Sequence, residues 1–154
     1  MASTVSTRLR ELGIELPSPP KPAGAYASVV VREGLAWVAG QIATEDGKVV
    51  RPGRVDRDVP LDVARDLARR ATLQALSALR AELGSIDRID RFLRVAVYVA
   101  TSPGFDRPHE VANGATELLI DLFGAAGRPA RIAVGVASLP LGAAVEVEYF
   151  LAVH

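Results

Sequence analysis

The segment from residue 128 to residue 148 reads RPARIAVGVASLPLGAAVEVE and contains two candidate strands separated by a turn. Arg131 is the one charged residue of the first candidate strand, and the turn follows at residues 139–142. The second strand alternates valines with Glu146 and Glu148, which predicts both carboxylates on one sheet face and the valines on the other. An antiparallel hairpin would bring Arg131 to the level of Glu148, or one pair away, on the same face.

Such a pair indicates a binding site for a small carboxylate. A guanidinium fork beside a carboxylate, on a surface that is otherwise apolar, matches the needs of a small substrate bearing its own carboxylate. The alternative interpretation is that Arg131 and the two glutamates are solvated charges at the ends of strands. The hairpin by itself leaves both interpretations open.

Hydrophobic periodicity predicts an α+β domain. An alanine and leucine stripe at helical spacing predicts a helix over residues 61–83, ended by Gly84, and Pro108 begins a second helix that runs to Phe123. Strands are predicted over residues 27–32, 35–42 and 92–100, with the segment around Arg131 completing the sheet. The order is ββαβαββ, with two long helices covering one sheet face and the other face left for an oligomeric partner.

The N-terminal region is predicted to be an extension of this domain. Residues 4–12 form a short amphipathic helix that ends at Gly13, and the proline-rich segment after it is extended. The chain is therefore divided into an extension over residues 1–21 and one domain over residues 22–154.

Composition excludes several classes of chemistry. The 154-residue chain has no cysteine, so disulfides and thiolate catalysis are excluded. His109 and His154 are the two histidines, which argues against a histidine metal site and against a Ser-His-Asp relay. No glycine-rich phosphate loop is present. Neither a metal nor an organic cofactor is expected.

Charge and hydropathy indicate a soluble cytoplasmic protein. The 18 basic residues balance 18 acidic ones, and most arginines lie among acidic residues, so nucleic acid is not an expected partner. The N-terminus lacks the apolar core of a signal peptide, and no apolar run reaches membrane-spanning length.

Four short segments resemble the RidA/YjgF family, also known as L-PSP endoribonuclease. They are AGAY from residue 23, VAGQI from residue 38, VANGA from residue 111, and PAR from residue 129 together with the closing VEVEYFLAV. The similarity spans roughly residues 22 to 153 and is nearest to a less-characterised branch with an N-terminal extension. It implies a chorismate-mutase-like fold, assembled as homotrimers with ligand sites in clefts between subunits.

The resemblance also implies roles for individual residues. Arg131 corresponds to the arginine that pairs with the substrate carboxylate, and Glu148 to the carboxylate that orients or activates water. Tyr26, Asn113 and Gly40 correspond to residues that line the substrate cleft.

Each of these roles has a structural alternative. Glu148 could be only a packing partner of Arg131, Tyr26 a core residue, and Asn113 a polar contact that orders the start of a helix. Glu146 is interpreted as an interface or structural charge.

Family function is an expectation here. The resemblance implies an enamine/imine deaminase that hydrolyses reactive 2-imino or 2-aminoacrylate acids to 2-oxo acids and ammonia. Ala39 and Ala133 stand where the archetypal deaminases have a serine and a cysteine, and the segment between Phe105 and Arg131 is longer. The two alanines favour an alternative, a protein that binds a 2-oxo acid without turnover, and the three departures together leave the exact substrate and the reaction open. The endoribonuclease activity of the older family name is the third possibility, and the balanced charge argues against it.

Overall fold

The computed structural model of the chain describes residues 3–154. The helices are α1 (Val5–Glu11), α2 (Leu61–Leu83) and α3 (Pro108–Phe123). The strands are β1 (Val29–Arg32), β2 (Leu35–Ile42), β3 (Thr44–Glu45), β4 (Lys48–Val49), β5 (Ile89–Ala100), β6 (Ala130–Val136) and β7 (Val145–Val153). The predicted α+β class and the ββαβαββ order are confirmed, with the short β3–β4 hairpin as an addition.

Five strands form one mixed sheet in the order β1-β2-β7-β5-β6. All neighbours are antiparallel except β5 and β6, which are parallel and are joined by α3. A parallel pair needs a crossover that returns the chain to the same end of the sheet, and a helix is the usual means. The segment between Ala100 and Ala130 therefore determines where Arg131 enters the sheet.

The predicted hairpin between β6 and β7 is wrong. β5 lies between these two strands, with Val95 opposite Arg131 on one side and opposite Tyr149 on the other. The turn at residues 139–142 does reverse the chain direction, as predicted. The chain then passes the end of β5 and continues along its other side. In that position β7 pairs with both β2 and β5, so both of its edges are hydrogen-bonded.

The core lies between the sheet and the two long helices. Alternation along β7 buries Val145 and Val147 on the helix side and turns Glu146 and Glu148 to the opposite face, as the sequence predicted. Among the buried residues, the Tyr149 hydroxyl lies 2.6 Å from the Thr72 hydroxyl of α2. This hydrogen bond joins the sheet to the helix layer without leaving a polar group unsatisfied.

The two helices approach each other most closely at Gly114 of α3. A side-chain carbon at this position would overlap the backbone carbonyl oxygen of Arg65 in α2. On the surface beside this contact, the Arg65 guanidinium pairs with Glu117 at 3.0 Å. The glycine of the VANGA segment is thus needed for helix packing, and it fixes the position of Asn113 beside it.

Gly114→Ala is expected to destabilise the fold by about 1–3 kcal/mol, because a rigid backbone atom cannot move aside for the added methyl group. Thermal unfolding followed by circular dichroism should show a midpoint several degrees lower. Gly24→Ala is the matched control, since its added carbon would meet the Tyr26 ring at an ordinary 3.5 Å. Equal unfolding midpoints for the two variants would contradict the role assigned to Gly114.

The N-terminal extension packs against the domain through α1, which contacts α3 and the short turn over residues 86–88 before β5. Leu9 of α1 is buried, and the carboxylate of Asp87 accepts hydrogen bonds from the backbone and the hydroxyl of Ser6 at 2.8 and 2.7 Å. Arg8 donates to the backbone oxygen of Asp121, near the end of α3. The predicted extension is therefore docked onto the domain, and its residues 1–2 lie outside the described part of the chain.

The sheet face opposite the helices is left open by the elements of residues 3–154. Val30, Trp37 and Ile132 on this face are 52%, 45% and 44% exposed. The Trp37 ring packs against Phe150 with 5.0 Å between centroids. Large apolar side chains exposed on an uncovered sheet face are typical of a protein–protein contact. Across residues 3–154, no helix combines the length and apolar character needed to span a bilayer.

Candidate functional site

Arg131 lies on β6, at one edge of the sheet, and its side chain points to the helix side. One guanidinium nitrogen donates to the Asn113 side-chain oxygen at 2.7 Å and to the Thr116 hydroxyl at 3.2 Å. Asn113 and Thr116 are three residues apart on α3, so they lie on the same helix face. Both acceptors are neutral, and within residues 3–154 no carboxylate forms an ion pair with Arg131. The exposed guanidinium is held in place while its positive charge remains uncompensated.

Glu148 does not lie beside Arg131. It stands opposite Ala96 of β5, whereas Arg131 stands opposite Val95, so the two side chains leave the sheet on opposite faces. β5 also separates them. Glu148 accepts a hydrogen bond from the Tyr98 hydroxyl at 2.8 Å and pairs with Arg94 at 3.4 Å.

Glu146 occupies the same open face, two residues earlier on β7. Its side chain lies over Gly40 of β2, where a side-chain carbon would overlap the carboxylate oxygen. β2 is irregular at this point, because two residues, Ala39 and Gly40, fit between its ladder pairs with Tyr149 and Val147. The bulge and the missing side chain together give the Glu146 carboxylate its space. Gly40 is therefore associated with a carboxylate rather than with Arg131.

The environment of Glu146 favours its protonated form. Partial burial of the side chain raises the pKa of Glu146, and the nearby negative charge of Glu148 raises it further. Within residues 3–154 the Glu146 carboxylate has no hydrogen-bond donor. The open face thus carries one carboxylate with two partners and one that is half-buried without any.

Tyr26 lies in the loop before β1 and is 52% exposed, so it is not a core residue. Its hydroxyl accepts a hydrogen bond from the backbone N–H of Ala23 at 3.2 Å. The backbone pairs Ser28 with Ala39, which places this loop near Gly40. β1 and β6 are the two edges of the sheet, so Tyr26 and Arg131 lie at opposite sides of the molecule.

The predicted residues therefore fall into two separate clusters, each completed by a residue that the sequence did not single out. The arginine cluster consists of Arg131 and Asn113 with Thr116, and the carboxylate cluster consists of Gly40, Glu146 and Glu148 with Tyr98. A register difference of three residues and two strand spacings puts Arg131 and Glu146 roughly 14 Å apart along the sheet. Tyr26 lies on the same side of the molecule as the carboxylate cluster.

Sequence reasoning missed Thr116, Arg94 and Tyr98. Alternation along FLRVAVYVA puts Arg94 and Tyr98 on the same strand face, so this signal was present in the sequence. Thr116 follows Asn113 at helical spacing. A shallow concavity of about 410 Å³ lies next to the carboxylate cluster and is lined by Trp37, Phe150, Arg94 and Glu148, among others. Within residues 3–154 no cluster of three metal-binding side chains occurs.

Comparison with known proteins gives the family. The sequence profile described as Endoribonuclease L-PSP matches residues 17–153. The chain belongs to this family, whose members are also known as RidA/YjgF proteins. The match begins within the proline-rich segment and leaves out α1.

Individual relatives agree with this assignment over most of the chain. Protein TCP17 of Trypanosoma cruzi is 40% identical over 145 residues, covering 94% of this chain and 91% of its own. A RutC family protein of Aquifex aeolicus is 28% identical over 138 residues, covering 88% of this chain and 94% of its own.

Two solved structures show the same fold. A protein of unknown function from Agrobacterium tumefaciens is 35% identical and superposes with a TM-score of 0.87, over 97% of this chain and 92% of its own. A protein from Shewanella oneidensis, provisionally assigned as an endoribonuclease, is 26% identical with a TM-score of 0.93, over 98% of this chain and 100% of its own. The expected chorismate-mutase-like fold of the family is confirmed.

Proposed function

We propose that this protein is an enamine/imine deaminase that hydrolyses reactive 2-imino acids to 2-oxo acids and ammonia. The observation that supports it most is the Arg131 guanidinium, positioned by two neutral acceptors and without a carboxylate partner within residues 3–154. An arginine held in this way can form a bidentate pair with an incoming carboxylate. Because such substrates form in the cytoplasm from pyridoxal-phosphate enzymes, a cytoplasmic location belongs to the proposal.

The complete site lies between subunits in this proposal. Arg131 and Glu146 of one chain are too far apart, and on opposite sheet faces, to contact the same small substrate. A homotrimer that covers the open face would bring the arginine cluster of one subunit to the carboxylate cluster and Tyr26 of its neighbour. The exposed apolar residues Val30, Trp37 and Ile132 supply the surface for that contact.

The chemistry needs one proton acceptor and one anchor. Arg131 holds the substrate carboxylate, and a glutamate takes a proton from water as its oxygen bonds to the imine carbon. The C=N π electrons move to nitrogen, which takes this proton back from the glutamic acid to give a carbinolamine. The glutamate then takes the hydroxyl proton as the C=O bond forms, and delivers it to the nitrogen as the C–N bond breaks and ammonia leaves. An activated imine needs little more than positioning and one general base.

Glu146 fits the role of proton acceptor better than Glu148, which the family resemblance had suggested. A general base works best when its pKa is close to the working pH, and burial raises the pKa of Glu146 in that direction. Glu148 is already hydrogen-bonded to Tyr98 and paired with Arg94. We therefore assign the acid–base role to Glu146 and a supporting role to Glu148.

The test is hydrolysis of imines generated in place by an amino-acid oxidase. Purified protein should shorten the lifetime of the imine, which semicarbazide traps as a chromophore, and ammonia and 2-oxo acid should appear in equal amounts. Boiled protein and the oxidase alone are the controls. An imine lifetime that stays the same at increasing protein concentration would refute the deaminase.

Binding without turnover is the second candidate. Ala39 beside Gly40, and Ala133 two residues after Arg131, remove a hydroxyl and a thiol that the archetypal deaminases carry, which leaves fewer groups for proton transfer. Calorimetric titration with pyruvate distinguishes the candidates, because saturable binding without ammonia release would support the binding protein.

A further inference from the structure

We propose that Tyr98 is a positioning residue that holds Glu148 in a fixed pair on the open face, leaving Glu146 as the carboxyl group that exchanges a proton with the substrate. Its catalytic meaning rests on the proposed deaminase function. The pairing itself is a property of the folded chain and can be tested without any substrate.

The Tyr98 hydroxyl binds one of the two nearby glutamates and not the other. In the β5–β7 ladder Tyr98 stands directly opposite Glu146, yet its hydroxyl donates to Glu148 at 2.8 Å, which is the diagonal neighbour. Arg94, four residues before Tyr98, lies 3.4 Å from the same Glu148 oxygen. An alternating strand presents both side chains on this face, so β5 gives Glu148 one neutral and one charged donor.

Glu146 is left without such a donor within residues 3–154. Among the titratable and charged groups on this face, Tyr98 of β5 stands directly opposite Glu146 and Glu148 follows on its own strand, while Arg94 stands further along β5, opposite Phe150. β2 presents Gly40, and β6 presents Val134. If Glu148 turned away from Tyr98, the two carboxylates could compete for the same donors. The Tyr98 hydroxyl prevents this exchange by fixing one of them.

The electrostatics agree with this division. The hydrogen bond to Glu148, followed by burial, raises the pKa of Tyr98, so its hydroxyl remains a donor throughout the neutral range. The negative charge of Glu148 is also the second cause, after burial, that raises the pKa of Glu146. By keeping Glu148 beside Glu146, Tyr98 thus favours proton uptake by Glu146.

The experiment is carbon-13 NMR of the glutamate side chains in the intact assembled protein, which gives the mobility of Glu148 and the titration midpoint of Glu146. Tyr98→Phe should make the Glu148 side chain mobile, because it loses the hydrogen bond that fixes it. Glu148→Gln should move the Glu146 midpoint to lower pH, because a neighbouring negative charge is removed. Glu15→Gln, on the exposed N-terminal segment, is the control and should change neither readout.

A role limited to packing predicts a different result. Phenylalanine keeps the ring, so a packing role would leave the Glu148 side chain of Tyr98→Phe as rigid as in the wild-type protein, and that result would overturn the proposal. An unchanged Glu146 midpoint in Glu148→Gln would overturn it as well. The second variant keeps the test decisive if Tyr98→Phe does not fold.

Activity measurements distinguish a failure of this inference from a failure of the proposed function. If wild-type protein releases ammonia, Tyr98→Phe should reduce the rate by up to about a hundredfold. The acid limb of its kcat/KM profile should follow the Glu146 midpoint seen by NMR, and a limb that does not follow it would count against the catalytic meaning of the pair. If wild-type protein releases no ammonia, the deaminase fails, and the NMR mobility of Glu148 still decides whether Tyr98 holds it.

Discussion

Replacing Arg131 by alanine is expected to weaken binding of a small 2-oxo acid by roughly 10²–10⁴-fold, since two charge-assisted hydrogen bonds contribute about 1.5–3 kcal/mol each. The guanidinium has no carboxylate partner within residues 3–154, so its removal leaves no buried charge behind. The expected effect is therefore on the ligand and not on the fold. Calorimetric titration with pyruvate measures the loss, and circular dichroism verifies the fold.

Two further variants sharpen this test. Arg131→Lys keeps the charge and loses the fork, so it should recover only part of the affinity. Arg128→Ala removes an exposed arginine three residues earlier and should bind like the wild-type protein. Retention of full affinity by Arg131→Ala, or an equal loss in Arg128→Ala, would exclude Arg131 as the carboxylate anchor.

Glu146→Gln is expected to reduce ammonia release by about 10²–10⁴-fold, the usual contribution of a general acid or base. Binding of pyruvate should change little, because glutamine fills the same space over Gly40 and Arg131 is intact. The imine-lifetime assay measures the rate and calorimetry measures the binding. A rate close to wild type would move the proton-transfer role to another group, with Glu148→Gln as the next variant to assay.

The raised pKa of Glu146 also determines the direction in which the rate and the stability change with pH. Catalysis needs the ionised base, so the rate should fall as pH falls through a pKa higher than that of a free glutamate. The folded chain binds this proton more tightly than the unfolded chain, so Glu146 lowers stability as pH rises from the ordinary glutamate pKa to the folded one. Glu146→Gln should therefore be slightly more stable than wild type at neutral pH, and denaturant unfolding at pH 4 and pH 7 measures the difference.

Much of the fold is local and could be predicted. The bounds of α2 and α3 follow from helical stripes, from Pro108 at one helix start and from Gly84 with its positive φ at a helix end. The alternation along β7 gave the correct faces for Glu146 and Glu148. Strand adjacency is a different kind of information, because it depends on the crossover through α3, and the turn after β6 reveals only that the chain reverses.

The sequence draws attention to residues that have specific contacts in the structure, but it does not give their arrangement. Arg131, Asn113 and Gly40 each proved to have a specific contact, yet Arg131 and Glu148 lie on opposite sheet faces. That separation follows from β5 lying between their strands and from the register of β6 and β7 along it, which no short sequence pattern encodes. Tyr98 and Arg94 were visible as one face of a strand, and their importance emerged only from the diagonal contact with Glu148.

The location of Arg131 and Glu146 on opposite faces has a genetic consequence. In a cyclic trimer with shared sites, each interface would take its cation from one chain and its base from the next. Mixing Arg131→Ala subunits with Glu146→Gln subunits, both inactive alone, would then regenerate intact interfaces in about a quarter of cases by random reassembly. Complementation of this kind would mean that a chain with one disabling substitution can still support its neighbour.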